Sequence, residues 1–256
     1  MIMLYFSGTG NSKFVAELFS REMNAACHSI EENLDFGKML ETAETIGFCY
    51  PVYMSRVPRI MREFAARHIE LLVGKKLIIF CTQLLLSGDG ARAFTDMFER
   101  NSVEIIYAEH FFMPNNVTNM FILPTASDRG IRKCIEKSER KMQNVCRDIK
   151  NGRIKRRGFN VFSRFLGLFQ GIFMSATEKK ANNSVKITAD CTNCGVCVAV
   201  CPMDNLASGG EKITHKNNCT MCYRCINQCP KRAITVVFHG KVKQQYKGVQ
   251  PYVGEN

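Results

Sequence analysis

Eight of the thirteen cysteines lie between Cys191 and Cys229, in two runs of one pattern, C-x2-C-x2-C-x3-C-P. Cys191, Cys194, Cys197 and Cys201 precede Pro202. Cys219, Cys222, Cys225 and Cys229, each 28 positions further on, precede Pro230. A cubane of iron and sulfide takes four thiolates arranged tetrahedrally. Two-residue gaps let a tight loop present three of them to one cluster, while the fourth, ahead of a proline, points to the other. The spacing therefore assigns Cys191, Cys194, Cys197 and Cys229 to one 4Fe–4S cluster. Cys219, Cys222, Cys225 and Cys201 take a second. Structural zinc competes, but it uses two separated Cys-x2-Cys pairs rather than four cysteines in eleven residues, twice over.

A second constellation stands near the start: Ser7-Gly8-Thr9-Gly10-Asn11-Ser12 follows an apolar run and opens a helical period. Glycines let the backbone wrap an anion. Successive N–H groups, the hydroxyls of Ser7, Thr9 and Ser12, and the helix N-terminus then neutralise a phosphate. A dinucleotide loop needs a third glycine where Lys13 stands, although Glu31 and Glu32 lie where a ribose-binding acid would. The triphosphate motif G-x-x-x-x-G-K-[ST] is absent.

These residues need elements to hold them. Apolar runs at Met1–Phe6, Ala26–Ile30, Thr45–Tyr50, Leu77–Thr82 and Val103–Phe112 read as strands. Helical periods at Asn11–Met23, Pro58–His68, Gly90–Arg100 and Asp128–Asn151 lie between or after them. The runs are continuously apolar, as in parallel strands covered by helices on both faces. The spacing predicts an α/β domain over residues 1–150, a connector over 151–185, a small cluster module over 186–237 and a basic tail over 238–256. So small a module buries too little surface to stand alone, and its ligands must supply much of its folding energy.

The repeated cysteine pattern resembles the bacterial two-cluster ferredoxins, which implies an α+β ferredoxin fold and low-potential electron transfer. The Ser7–Ser12 loop after strand one resembles the FMN phosphate loop of flavodoxins. That resemblance implies a doubly wound five-stranded parallel sheet of order 2-1-3-4-5, with flavin beyond the carboxyl ends of the strands. It puts the ring against the loops Tyr50–Arg56 and Thr82–Gly90. The implied cofactor contacts are Ser7, Gly8, Thr9, Gly10, Asn11, Ser12, Pro51, Val52, Tyr53, Met54, Thr82, Gln83 and Gly88. Tyr53 is the candidate to stack on the ring. The chain departs from small flavodoxins in having no tryptophan and no glycine–acid pair after strand three. Pro51-Val52-Tyr53 looks more like flavodoxin domains fused into larger redox proteins. Met113–Thr118 reads as a polar turn, with contact to the flavin edge or the cluster module as the less favoured alternative.

The net charge is +12, and residues 151–185 hold seven Lys or Arg against one acid. In that stretch Phe159, Phe162, Phe165, Phe169 and Phe173 recur at helical steps. We take it for a helix that packs the modules together through this face. Docking of an acidic redox partner or of a membrane surface is the less favoured alternative. The basic residues carry no nucleic-acid-binding motif, so nucleic acid is not an expected partner.

No apolar run is long enough to span a bilayer, and thirteen cysteines in a chain taken as cytoplasmic point to metal or redox chemistry rather than disulfides. Cys27, Cys49, Cys81, Cys134 and Cys146 and the five histidines read as structural. As a whole the sequence resembles flavodoxin–ferredoxin fusions of anaerobic microbes, which implies electron transfer between two 4Fe–4S clusters and FMN. The alternatives are an FMN-dependent reductase of a small acceptor, with Arg56, Asn115 and Asn116 as orienting groups, and a redox-sensing interaction protein.

Overall fold

The computed structural model describes residues 1–249 apart from Phe121, Pro124 and Glu211; the rest of the tail, 250–256, lies outside the described residues. Six strands form one parallel sheet: β1 (Ile2–Tyr5), β2 (Ala26–Ser29), β3 (Thr45–Pro51), β4 (Lys76–Gln83), β5 (Glu104–Phe112) and β6 (Lys155–Arg156). Their order is β2-β1-β3-β4-β5-β6. Helices α1 (Asn11–Met23), α2 (Phe36–Thr42), α3 (Arg59–Arg67), α4 (Ile69–Leu72), α5 (Arg92–Thr95), α6 (Asp128–Lys150) and α7 (Val161–Asn182) accompany it. Alternation along β1 shows why two layers are needed. Leu4 enters a core with Phe48, Phe64 and Phe94, whereas Met3 enters the opposite one with Phe19, Phe80 and Met142.

The expected order of five strands is present, with a sixth added at the edge by the basic segment. β6 pairs with Tyr107 and Ala108. Its charges are drawn in by Glu109, a fully buried carboxylate that Lys155 (2.7 Å), Lys141 (3.0 Å) and Arg157 (3.3 Å) surround. Burial alone would raise the Glu109 carboxyl, but the hydrogen bond from Lys155 and the Lys141 charge outweigh it and hold it below the ordinary carboxylate value. A two-residue, charged strand also suits an edge, because it offers other chains little to pair with.

Two helices depart from the pattern. The expected helix over Gly90–Arg100 shrinks to the single turn of α5, which has no side-chain cap and whose Arg92 ties down Asp89 and Asp96. α2 is too short for its period to show, but Asp35 caps it at Lys38 N.

α7 corrects the packing expectation. The helix does lie against both modules, but through its small face. A Cβ on Gly88 would fall 2.5 Å from the Gly167 nitrogen, Gly171 abuts the Arg56 guanidinium, and Met174 and Ala181 enter the core of the cysteine module. The phenylalanines at 162, 165, 169 and 173 point outward instead. Bulky rings cannot fit where two backbones meet this closely, so glycine takes the contact.

The cysteine module holds two antiparallel pairs, β7 (Lys186–Ile187) with β10 (Ile234–Thr235) and β8 (Leu206–Ser208) with β9 (Ile213–His215). Two short helices, α8 (Val196–Ala199) and α9 (Arg224–Gln228), complete it. The repeat extends to the backbone. Left-handed φ occurs at Asn193, Gly195 and Asp204, and again 28 residues later at Met221, Tyr223 and Arg232.

Candidate functional site

β1 delivers the glycine loop to the end of the sheet, where its neighbour strands also end. The Ser7 hydroxyl accepts from Gly10 N (3.1 Å), Ser12 Oγ and Thr82 Oγ1 lie 2.7 Å apart, and Gly10 turns at φ 97° to start α1. The Asn11 amide donates to the Pro114 carbonyl (2.9 Å) and its oxygen accepts from the Tyr246 hydroxyl (2.6 Å). Arg224 donates to the carbonyls of Ser7 (2.9 Å) and Gly8 (3.2 Å). Those lone pairs are thereby satisfied on the cysteine-module side, leaving the loop as a set of donors. Arg224 also grips Glu31 at 2.8 and 2.9 Å, and Glu32 pairs with His28. Both acids that a dinucleotide ribose would use are engaged.

Beyond the loop lies a cavity of about 390 Å³. Ser7, Gly8, Thr9, Asn11, Ser12, Pro51, Val52, Tyr53, Met54, Thr82 and Gln83 line it, and among the described residues no charged side chain does. Gly10 and Gly88 are not among the lining residues: Gly10 shapes the turn, and Gly88, in the loop after β4, packs against α7 with its N–H donated to Ser55 Oγ (2.7 Å). The segment read first as a polar turn contributes Met113 to Val117. Leu84 to Ser87, α7 (Gln170, Met174, Thr177), the cysteine module (Met221, Tyr223) and Phe238 close the remainder. Leu84 to Ser87 belong to the Thr82–Gly90 loop already expected there, whereas sequence reasoning missed the α7, cysteine-module and Phe238 residues because they come from far along the chain. The one signal available was the small and polar positions set between the phenylalanines of α7.

Two buried polar atoms face no partner here, Gln83 Nε2 and Tyr53 Oη. Ser87 holds the Gln83 oxygen at 2.6 Å, leaving its NH2 unmet. Tyr53 opens a reverse turn closed by Tyr53 N to Arg56 O (3.1 Å) and Arg56 N to Tyr53 O (3.0 Å), with positive φ at both Met54 and Ser55. Two non-glycine residues in that region store strain, which concentrates at binding sites. Of the groups available to orient a substrate, Arg56 turns to Gly171 and Ser175 on α7, Asn115 bonds the Leu123 carbonyl, and Asn116 bonds Thr9 Oγ1.

The eight thiols fall into two sets. Cys191, Cys194, Cys197 and Cys229 line one pocket with Ile187, Ile213 and Ile234. Cys201 lies instead near Cys219, Cys222 and Cys225: burial pushes the Cys225 thiol well up, and the thiols of Cys222, Cys219 and Cys201, followed by Cys197 of the first set, push it further. Burial likewise pushes Cys222 up to about 12. Backbone N–H groups meet equivalent sulfurs, Asn205 N on Cys201 and Ala233 N on Cys229, both at 3.3 Å. Cys27, Cys49, Cys81, Cys134 and Cys146 belong to the sheet domain, where Cys49 and Cys81 are fully buried.

The second set touches the glycine loop. A Cβ on Gly8 would overlap the Cys222 carbonyl oxygen, so only glycine fits. Tyr53 is half-buried beside Cys222 and Tyr223, and its hydroxyl is pushed well up by desolvation and then by those neighbours. Asn227 seals the seam, donating to Asn116 O (2.8 Å) and accepting from Tyr246 N (2.8 Å).

Residues 2–182 match the family model of the flavodoxin domain, and residues 183–230 match that of the 4Fe-4S dicluster domain. A ferredoxin of Methanothermococcus thermolithotrophicus is 40% identical over 45 residues, 17% of this chain and 75% of that protein. Among solved structures, a flavodoxin from the domain Archaea is 16% identical with a TM-score of 0.35, covering 56% of this chain and 96% of that one. Oxidised Flavodoxin 2 from Bacillus cereus is 15% identical with a TM-score of 0.38, over 58% and 97%. The two family matches imply flavin in the first domain and iron–sulfur in the second. The chain belongs to the flavodoxin domain family and carries a 4Fe-4S dicluster domain after it.

Proposed function

We propose that this protein transfers electrons between two 4Fe–4S clusters and FMN held in one polypeptide. The cavity fits the flavin. Its loop offers hydroxyls, amides and the α1 N-terminus to a phosphate, and no lining carboxylate among the described residues repels it. Gln83 Nε2 and Tyr53 Oη await polar partners on the ring, and the walls are largely apolar, as small-molecule sites are. The thiol sets fit one cluster each: Cys191, Cys194, Cys197 and Cys229, then Cys201, Cys219, Cys222 and Cys225. Backbone N–H groups aimed at the sulfurs are the contacts that tune cluster potentials.

FMN exchanges one or two electrons and each cluster one, so together they convert between single- and two-electron chemistry. The chain's own work is positioning. Arg224 pins the loop to the cysteine module. Tyr53 and Tyr223 fill the gap between the nearer thiols and the cavity, excluding water. The single observation that carries this reading is the overlap any Cβ on Gly8 would make with the Cys222 carbonyl, which sets the second thiol set directly against the phosphate loop. A cluster on that set would lie beside the phosphate loop, and the first set would hold the cluster farther from it.

An electron carrier is favoured over a reductase because Arg56, Asn115 and Asn116 are committed to structural hydrogen bonds. An absorbance spectrum of anaerobically purified protein, with iron, sulfide and flavin assayed, tests the assignment. Roughly eight irons per chain with one FMN are expected from two cubanes and one flavin. The same iron without flavin removes the flavodoxin half of the reading; flavin with zinc in place of iron removes the other.

A further inference from the structure

The outward face of α7 is apolar to a degree that a solvent-facing helix has no reason to be. Phe162, Phe165, Leu168, Phe169, Ile172 and Phe173 are 53–73% exposed. A second apolar segment adjoins them, since Leu84, Leu85 and Leu86 are exposed on a loop that Gln170 ties to α7 through the Leu86 carbonyl (3.1 Å). Contiguous apolar patches of this kind mark interaction surfaces on soluble proteins.

Charge decides what covers it. The stretch that includes α7 carries seven cations and one acid, and that acid, Glu178, is spent on Arg62 at 2.7 Å. Arg164, Lys179 and Lys180 make no ion pair among the described residues. Nearby, the single carboxylate of Glu109 serves three cations, so that cluster stays net positive. Aromatic and aliphatic side chains flanked by unpaired basic ones form the pattern that lies in an anionic lipid interface. A second copy of this chain would bring the same excess of positive charge against itself, which disfavours self-association.

We propose that the outer face of α7, with the Leu84–Leu86 loop, docks this protein on an anionic membrane surface. This reverses the order of preference drawn from the sequence, because the phenylalanine face assumed to pack inward is turned to solvent. The helix lies on the membrane rather than crossing it: among the described residues, none is long and apolar enough to span a bilayer. Because the three leucines also line the flavin-domain cavity, docking turns its mouth toward the lipid.

Flotation of the full-length holoprotein with vesicles tests this. Vesicles of phosphatidylcholine mixed with phosphatidylglycerol are expected to carry it up the gradient, and phosphatidylcholine alone to carry much less. The double variant Phe165→Ser/Phe169→Ser should partition at least about tenfold more weakly, since each ring leaves a lipid interface. Arg164→Gln/Lys179→Gln/Lys180→Gln should weaken binding too, and added salt should mimic it. All substituted side chains are exposed, and an unchanged cofactor spectrum confirms folding. Three results overturn the proposal: wild type left at the bottom with anionic vesicles, equal flotation with both lipids, or equal flotation of wild type and the phenylalanine variant. A sedimentation shift to a dimer that the phenylalanine variant abolishes, without vesicle binding, assigns the face to a second copy instead.

Discussion

The two cysteine repeats share spacing and backbone, yet they face different surroundings. In the first, the left-handed positions belong to Asn193 and Gly195, and Cys194 is exposed. In the second they belong to Met221 and Tyr223, both buried, and Cys222 is buried against the phosphate loop. Glycine takes a positive φ without steric penalty, whereas a tyrosine there costs about 1–2 kcal/mol. At the Gly195/Tyr223 position the strain is retained where the side chain closes a cavity and avoided where glycine stands, while exposed Asp204 and Arg232 keep it at the third position of both repeats. An internal repeat can thus be read by its differences: the copy that carries a tyrosine where its twin has glycine is the one facing the cavity of the sheet domain.

The difference can be sharpened first by removing iron. Anaerobic chelation should unfold residues 183–237, because strands of two or three residues and single-turn helices cannot hold the module without ligands. The flavodoxin domain, with its two layers of buried phenylalanine, should keep its sheet by circular dichroism. Loss should be biphasic, with the set containing exposed Cys194 stripped before the set containing Cys222; simultaneous loss would deny the asymmetry.

Replacing Tyr223 with glycine comes next. Removing a buried ring costs about 3–5 kcal/mol, offset by about 1–2 kcal/mol of relieved backbone strain. A net loss of about 1–4 kcal/mol in denaturant stability follows, with weaker FMN retention. Arg224→Gln should cost about 1–2 kcal/mol, because Glu31 and two carbonyls lose a charged donor while remaining partly hydrated. Its second readout is FMN affinity, since the loop carbonyls are freed to turn inward. The smallest effect belongs to Gly195→Ala. Nothing lies within reach of the new Cβ, so only the positive φ matters, at about 1 kcal/mol and with no change at the flavin. Should Gly195→Ala disturb the flavin as much as Tyr223→Gly does, the two repeats are not distinguished as described.

The sheet was legible because its strands are continuously apolar and its loop chemistry is local: Ser7–Ser12 and the paired cysteine runs each lie within a dozen residues. What the sequence hid was assembled from a distance. β6 forms only because Glu109 is buried 46 residues earlier and needs cations. The cavity wall supplied by Gln170, Met174 and Tyr223 depends on close backbone approach at Gly88, Gly167 and Gly8, which no periodicity encodes. The direction of the α7 face was misread for the same reason. A phenylalanine period states that a helix has an apolar side, whereas the glycines at 167 and 171 determine which side meets the protein.

The account rests on electrons crossing the seam between Cys222 and Gly8 within one molecule. Stopped-flow mixing of the oxidised holoprotein with limiting dithionite, monitored separately in the cluster and flavin bands, tests it most directly. Cluster bleaching should be followed by flavin reduction, at a first-order rate that stays constant as protein concentration is varied. A flavin that remains oxidised beside reduced clusters, or one whose reduction rate rises in proportion to protein concentration, would contradict it.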